Sequence, residues 1–273
     1  MQRQETYFII REDTTTNSMK EFLSNIVADI GNTRIKWGRC EQGKVVEAIS
    51  LPPEDFEAWY EQRTKWQSKL PHRCSWTIAG VQPAWRDTLI QWVESQGESV
   101  RKIDTFKQLN VTLAVDNPNR VGLDRLFNAL AAREEFPNRP AIIVDAGTAI
   151  TVDLVDDKGV FQGGSILPGL GLMSKALNAY TALLPLVEIP DHPEELPLPG
   201  KNTAQAIQTG IYWQAVGGVA YICDRMNRLT NKEAVVIITG GNGLKLNAGL
   251  KISTQVRPFL TLEGIRMTAE KHS

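Results

Sequence analysis

Two stretches of the chain carry the same alternation of apolar and polar positions. From Ile26 the sequence runs IVADIGNTRIKWGRCEQGKVVEAI, and from Ala141 it runs AIIVDAGTAITVDLVDDKGVFQGGSI. Each reads as strand, tight turn, strand, turn, strand, with turns at Gly31-Asn32 and Gln42-Gly43 in the first and at Gly147-Thr148 and Lys158-Gly159 in the second. The two are in register: Asp29 and Asp145, Gly31 and Gly147, and Gly43 and Gly159 are each 116 residues apart. Two three-stranded meanders at one constant offset imply a duplicated domain.

Beyond each meander the pattern is mixed. PPEDFEAWYEQRTKW predicts a helix and CSWTIAGV a buried strand. PAWRDTLIQWVESQG predicts another helix, with Trp85, Leu89, Trp92 and Val93 on one apolar face. A helix over Asp124–Phe136 closes the first half, and Pro137 and Pro140 mark the boundary. In the second half Leu170–Leu184 predicts a helix, VEIPDHPEELPLPG a Pro-rich loop, Thr203–Leu229 a helix with internal glycines, and AVVIITGG a strand leading to a short helix. Strands alternating with helices predict an α/β protein with mixed sheets. The expected division is a leader over residues 1–24, a first domain over 25–139 and a second over 140–273. The leader is polar and Thr-rich without a period, is expected to be disordered, and contains Met19 as an alternative start.

Composition narrows the function classes. The chain has 273 residues, which fits roughly two domains of ~150 residues. Lys and Arg total 30 against 31 Asp and Glu, a formal net charge of -1, so bulk charge gives no support for nucleic acid or an anionic membrane as a partner. No apolar run approaches a membrane span of ~18 residues and no signal peptide opens the chain. Cys40, Cys74 and Cys223 are scattered and odd in number, which suggests neither a disulfide framework nor a zinc site and points to a reducing, cytoplasmic setting. The scattered His72, His192 and His272 receive no chemical role, and the seven tryptophans are expected in packing.

Four constellations carry candidate chemistry. The first is Asp29-Ile30-Gly31-Asn32-Thr33-Arg34-Ile35-Lys36. Exposed turn N–H groups and the Asn and Thr side chains suit phosphate oxygens, Asp29 suits a hydrated Mg²⁺, and Lys36 suits neutralisation of phosphate charge. A plain hairpin turn is the alternative, since Asp, Gly, Asn and Thr are all turn formers. Asp145-Ala146-Gly147-Thr148-Ala149-Ile150-Thr151 repeats the device, and two such turns facing each other would grip a polyphosphate. The third is Gly122-Leu123-Asp124-Arg125, where Asp124 is either a helix-capping carboxylate or a general base beside a guanidinium. The neighbouring Arg and the helix N-terminus are expected to lower its pKa, leaving a weak base suited to a loose transition state. The fourth is Thr239-Gly240-Gly241-Asn242-Gly243, a strand-to-helix turn or a flat seat for adenosine. There is no GxxxxGK[ST] and no GxGxxG opening a helix, so neither a P-loop nor a dinucleotide fold is indicated.

Together DIGNTRIK, GLDR, DAGTAIT, GGSILPG and the NTAQAIQTG segment resemble the type III pantothenate kinase family of the acetate/sugar kinase–Hsp70–actin superfamily, from about Val27 to about Gly264. The resemblance implies two ribonuclease-H-like domains with a cleft between them, and ATP-dependent phosphorylation of pantothenate to 4′-phosphopantothenate, the first step of coenzyme A synthesis. It implies ATP contacts from Asp29 to Lys36 and from Thr148, and Asp124 as proton acceptor. It further implies a pantothenate site at Gly122, Leu123, Asp124, Arg125 and Thr203, and a monovalent cation, K⁺ or NH₄⁺, at Asp145. Mg²⁺ and a homodimer built on the second domain belong to the same expectation. Where the family often has a Tyr seven residues before the Gly of its GxDR motif, this chain has Val115, which supplies no hydroxyl. Another small-molecule kinase of the superfamily, or a non-catalytic nucleotide-binding regulator of the Bvg accessory factor kind, would share the same turns.

Overall fold

Gln42 and Gly43 both adopt positive φ, 50° and 71°, the backbone of a tight two-residue hairpin whose twist matches the flanking strands. They join the second and third strands of the first meander: β1 (Ile26–Ile30), β2 (Ile35–Glu41) and β3 (Lys44–Leu51). The computed structural model describes residues 23–270. Residues 1–22 of the expected leader, with the alternative start at Met19, lie outside that range. Ser24 is buried, its hydroxyl 2.6 Å from that of Thr77.

Helix α1 (Phe56–Trp66) follows β3, and strands β4 (Ser75–Gly80) and β5 (Ser99–Ile103) flank α2 (Pro83–Ser95). The first sheet has the order β3-β2-β1-β4-β5, antiparallel through the meander and parallel from β1 to β5. After the short strand β6 (Thr112–Leu113) and helix α3 (Leu123–Glu135), the second meander forms β7 (Ala141–Ala146), β8 (Ala149–Val155) and β9 (Val160–Pro168). Helices α4 (Leu170–Ala179) and α5 (Thr203–Asn227) lead to β10 (Val235–Thr239), α6 (Gly243–Gly249), β11 (Gln255–Val256) and α7 (Leu260–Glu270). The second sheet reads β11-β10-β7-β8-β9-β6. Five of its strands, β9-β8-β7-β10-β11, repeat the order and strand directions of the first sheet. The duplication inferred from spacing is therefore a duplication of topology.

Period-two alternation decides which core each strand side chain enters. Ile26, Ala28 and Ile30 point into an outer core with Trp37, Trp59, Trp76 and Leu89 under α1 and α2, while Val27 points into a central core. Trp37 meets Trp76 edge-on at 4.9 Å, so these indoles pack as expected. The central core joins both sheets through α3 and α7, with Phe127, Ile143, Leu262 and Ile265 in it. A third core covers the far face of the second sheet, where Ile142 and Val144 meet Ile211, Tyr212 and Leu246.

Several elements differ from expectation. Helix α4 stops at Ala179, short of Leu184, because side chains take over its last carbonyls: the Thr181 hydroxyl donates to Leu177 O (2.7 Å). Asn178 holds the Leu184 carbonyl at 2.9 Å, and Pro185 disfavours helix at Leu184. Strands β5, β6 and β11 and helix α7 were not expected. β6, from the first half, pairs with β9 of the second sheet. α7, from the end of the chain, lies against β1, β3 and β4 of the first sheet as well as α3, and Glu263 accepts a hydrogen bond from the Val45 N–H at 2.8 Å. No described helix is long and apolar enough to cross a membrane.

The α3–α7 crossing is close because Gly264 has no side chain: a Cβ there would overlap the Phe127 carbonyl on α3. Gly264→Ala is expected to cost about 2–3 kcal/mol of stability through overpacking, read as a lower urea midpoint at unchanged slope. A midpoint equal to wild type would mean that the two helices separate without cost.

Candidate active site

Both Asp-x-Gly turns sit at the ends of central strands and are closed in the same way. Gly31 N–H donates to Arg34 O (3.1 Å) and Gly147 N–H to Ala149 O (3.0 Å). The second turn is one residue shorter: Ile30 pairs with Ile35, whereas Ala146 pairs with Ile150. The constant 116-residue offset hides this. As a result Asp29 faces Lys36 across the first hairpin, but Asp145 faces Thr151 across the second. Directly opposed residues of an antiparallel pair share one face, so the duplicated carboxylates have an ammonium opposite one and a hydroxyl opposite the other.

The two turns meet. Thr33 Oγ1 and Thr148 Oγ1 lie 3.1 Å apart across the mouth of a cleft of about 380 Å³. Asp29, Asp124 and Asp145 all line it, with Gly31, Asn32, Thr33, Arg34 and Lys36 from the first turn and Gly147, Thr148 and Thr151 from the second. Ser50, Val81, Ala149, Gly241 and Asn242 complete the lining; the first two were not singled out in the sequence. Ile30 and Ile35 belong to the same turn but send their side chains into the outer core. A second, more apolar cavity of about 270 Å³ shares Lys36, Ser50 and Gly241 with the cleft and continues along Gly240, Leu244 and Phe259. A larger hollow of about 510 Å³ lies along β9 and the end of α5, away from the three carboxylates.

Crowding of carboxylates in a partly desolvated cleft perturbs them. Burial pushes Asp29 up to about 7 against the pull of Lys36, and Asp124 and Asp145 push it further. Burial also raises Asp124, resisted by the hydrogen bond from the Arg125 N–H (2.9 Å) and reinforced by Asp145. The expectation that Asp124 would be acidified is thus overturned. Part of the reason is where Arg125 goes: its guanidinium turns away to grip the fully buried Asp153 on β8, with Nε at 2.9 Å from Oδ1 and Nη2 on the same oxygen. Asp153 itself is raised by burial and pulled back by Arg125.

Asp145 is held from behind. Its Oδ2 accepts from Asn128 Nδ2 at 2.9 Å, and Asn128 Oδ1 accepts from the Thr261 hydroxyl at 2.8 Å. Gly240, at φ 89°, carries no Cβ, and one placed there would overlap Asp145 Oδ1 and the Ala146 backbone. Of the GLDR residues, only Asp124 lines the cleft; Leu123 packs on the central core, Gly122 caps α3, and Arg125 is committed to Asp153. Thr203 is exposed at the first turn of α5 and is not in the cleft lining. Val115 packs on the central core near Gly163 of β9.

Known proteins share this architecture and sequence. The activator of 2-hydroxyisocaproyl-CoA dehydratase from Clostridium difficile has the same fold, with a TM-score of 0.53 at 14% identity, over 92% of this chain and 95% of that one. Component A of (R)-2-hydroxyglutaryl-CoA dehydratase from Acidaminococcus fermentans gives 0.52 at 13%, over 92% and 97%. In sequence, the type III pantothenate kinase of Moorella thermoacetica is 36% identical over 257 residues, covering 91% of this chain and 99% of that protein. That of Dehalococcoides mccartyi is 40% identical over 156 residues, covering 57% of this chain and 58% of that protein. The family model described as type III pantothenate kinase matches residues 25–225. With a near full-length relative and a family match over most of its length, the chain belongs to the type III pantothenate kinase family.

Proposed function

We propose that the protein transfers the γ-phosphoryl group of ATP to the hydroxyl of pantothenate, releasing ADP and 4′-phosphopantothenate, the first committed intermediate toward coenzyme A. One observation carries the reading: Asp29, Asp124 and Asp145 converge on a single cleft between two matched turns. The turns suit the β- and γ-phosphates, Thr33 and Thr148 offer hydroxyls, and Lys36 offsets phosphate charge. The apolar cavity along Gly240 and Leu244 suits the adenine base. Asp124 takes the proton from the attacking hydroxyl oxygen as that oxygen bonds to phosphorus and the bond to ADP breaks. Its raised pKa makes it a better proton acceptor than an exposed carboxylate. Gly122, Leu123 and Arg125 would shape the pantothenate side of the cleft, with Arg125 steadied by Asp153.

The donor set fits hard cations. The lining offers carboxylate, hydroxyl and backbone oxygens without sulfur or imidazole. The buried Thr151 hydroxyl makes no hydrogen bond of good geometry among the described residues, lies close enough to Asp153 to lower it, and belongs to the residue paired with Asp145 across the hairpin. Asp145 and Thr151 would hold K⁺ or NH₄⁺, and Asp29 a hydrated Mg²⁺; bound there, these supply charge neutralisation for the transferring phosphoryl group. Thr203 lies outside the cleft lining, and its contact with pantothenate rests on the family resemblance. Leu172, Tyr180, Leu183 and Tyr221 are exposed around α4 and α5, an apolar face that suits a second copy of the chain. Free cysteines, two of them buried, agree with a cytoplasmic enzyme. The first-half and second-half units, divided near Pro137–Pro140, would then close on ATP with the second unit dimerising.

Three outcomes test this. Asp124→Asn is expected to lower kcat with pantothenate by roughly 10²–10⁴-fold while the circular dichroism spectrum stays native; near-normal turnover would remove Asp124 as the base. Wild-type activity should fall sharply when K⁺ and NH₄⁺ are replaced by Na⁺. Thr151→Lys, which copies the Asp29–Lys36 pairing, should narrow that difference, and an unchanged K⁺/Na⁺ activity ratio would count against a missing charge at Asp145. The third concerns pH. Asp29 titrates near 7 when folded and near its ordinary 3.8 when unfolded, so the folded state holds the extra proton between those values and loses stability as pH rises through them. Ligand-free Asp29→Asn should therefore melt higher than wild type at pH 8, with the advantage fading as pH falls from 7 toward 4. A gap that is the same at pH 8 and pH 4 would contradict the strained carboxylate.

A further inference from the structure

A carboxylate that binds a cation must present one oxygen steadily, yet the terminal torsion of Asp is broad and two-fold. In this fold the torsion of Asp145 is settled from behind the cleft. Asn128, 1% exposed on α3, donates through Nδ2 to Asp145 Oδ2, and Thr261, 5% exposed on α7, donates to Asn128 Oδ1. The chain of donors has a single polarity. A carboxylate can only accept, so the Asn128 amide must face it with its NH₂ group, and its carbonyl is then left for the Thr261 hydroxyl. On the other side, a Cβ at Gly240 would overlap the second oxygen of Asp145, so only glycine leaves that oxygen its place.

We propose that Asn128, backed by Thr261, is a positioning residue that fixes the Asp145 carboxylate for the monovalent cation, and that α7 thereby forms part of the cation site without touching the cation. The inference rests on the reading of Asp145 as the cation ligand. Neither residue lines the cleft that holds Asp145, and Thr261 borders the adjoining apolar cavity, so the substrate-free thermal shift is the readout that isolates the cation. Both lie in the central layer between the sheets, so the support reaches the site through the packed α3–α7 crossing. Groups that orient a ligand in this way are worth about 10–100-fold in metal affinity.

The test uses full-length enzyme with Asn128→Leu, Thr261→Val, Thr261→Ser and Asp145→Asn, at constant ionic strength with Na⁺ replacing K⁺. Two quantities are read: the K⁺ concentration giving half-maximal activity, and the rise in melting temperature that K⁺ produces without substrates. Asn128→Leu should raise the half-activating K⁺ by about tenfold or more and shrink the thermal shift. Thr261→Val should do the same to a lesser degree, whereas Thr261→Ser, which keeps the hydroxyl, should behave as wild type. The serine variant separates orientation from packing, because it loses the methyl group and keeps the donor. If Asn128→Leu does not fold, the Thr261 pair decides. Unchanged K⁺ responses in Asn128→Leu and Thr261→Val, together with their loss in Asp145→Asn, would overturn the positioning role alone. Unchanged responses in Asp145→Asn would overturn the cation reading, and the positioning role with it.

Discussion

Three carboxylates share one small, partly buried cleft, and most of the surrounding structure answers that repulsion. Burial pushes Asp29 up to about 7, with the charges of Asp124 and Asp145 adding to the rise, and burial raises Asp124 as well. ATP adds further negative charge to the same space. On the proposed function, positive charge must therefore enter with the nucleotide or be fixed nearby. Lys36 is the fixed charge of the first turn. Arg125 would be the obvious second, but Asp153 holds it elsewhere, so Asp124 remains unpaired enough to receive a proton.

Duplication explains the symmetry of the cleft, and its imperfection explains the chemistry. Both halves carry a strand-end Asp followed by a Gly-closed turn, and both place it at the centre of a sheet of the same strand order. The single residue missing from the second turn shifts the facing strand, so Asp145 meets Thr151 where Asp29 meets Lys36. A symmetric pair of lysines would neutralise both carboxylates permanently. A hydroxyl opposite Asp145 instead leaves that carboxylate facing a neutral group, which is what the proposed cation site requires.

Much of this was legible in the chain because it is local. Period-two alternation, strand-end aspartates and Gly turns are short-range signals, and they located both meanders, both turns and Asp124. What escaped the sequence was non-local. The shortened second turn is invisible to a count of intervals, since the next hairpin turn is one residue longer in the second copy (157–159 between Asp156 and Val160, against Gln42-Gly43 between Glu41 and Lys44) and restores the 116-residue spacing. Asp153 reads as an ordinary strand residue until Arg125 is folded against it. Asn128 reads as an interior helix position, and α7 as a tail, until the C-terminal helix returns to the first sheet. The direction of the Asp124 shift was misjudged because sequence neighbours suggest an Arg partner, while burial and the diverted guanidinium decide the outcome.

The same geometry separates a rigid base from a yielding mouth. At the base, α3 and α7 are locked by the close approach at Gly264, and the buried Thr261–Asn128 hydrogen bond backs the partly buried bond from Asn128 to Asp145. At the mouth, the two turns meet through the exposed Thr33–Thr148 hydrogen bond, and such a bond is worth only about 1 kcal/mol net. On the proposed function, phosphate oxygens entering between the turns would take over these two hydroxyls, an exchange of hydrogen bonds at the surface above the carboxylates.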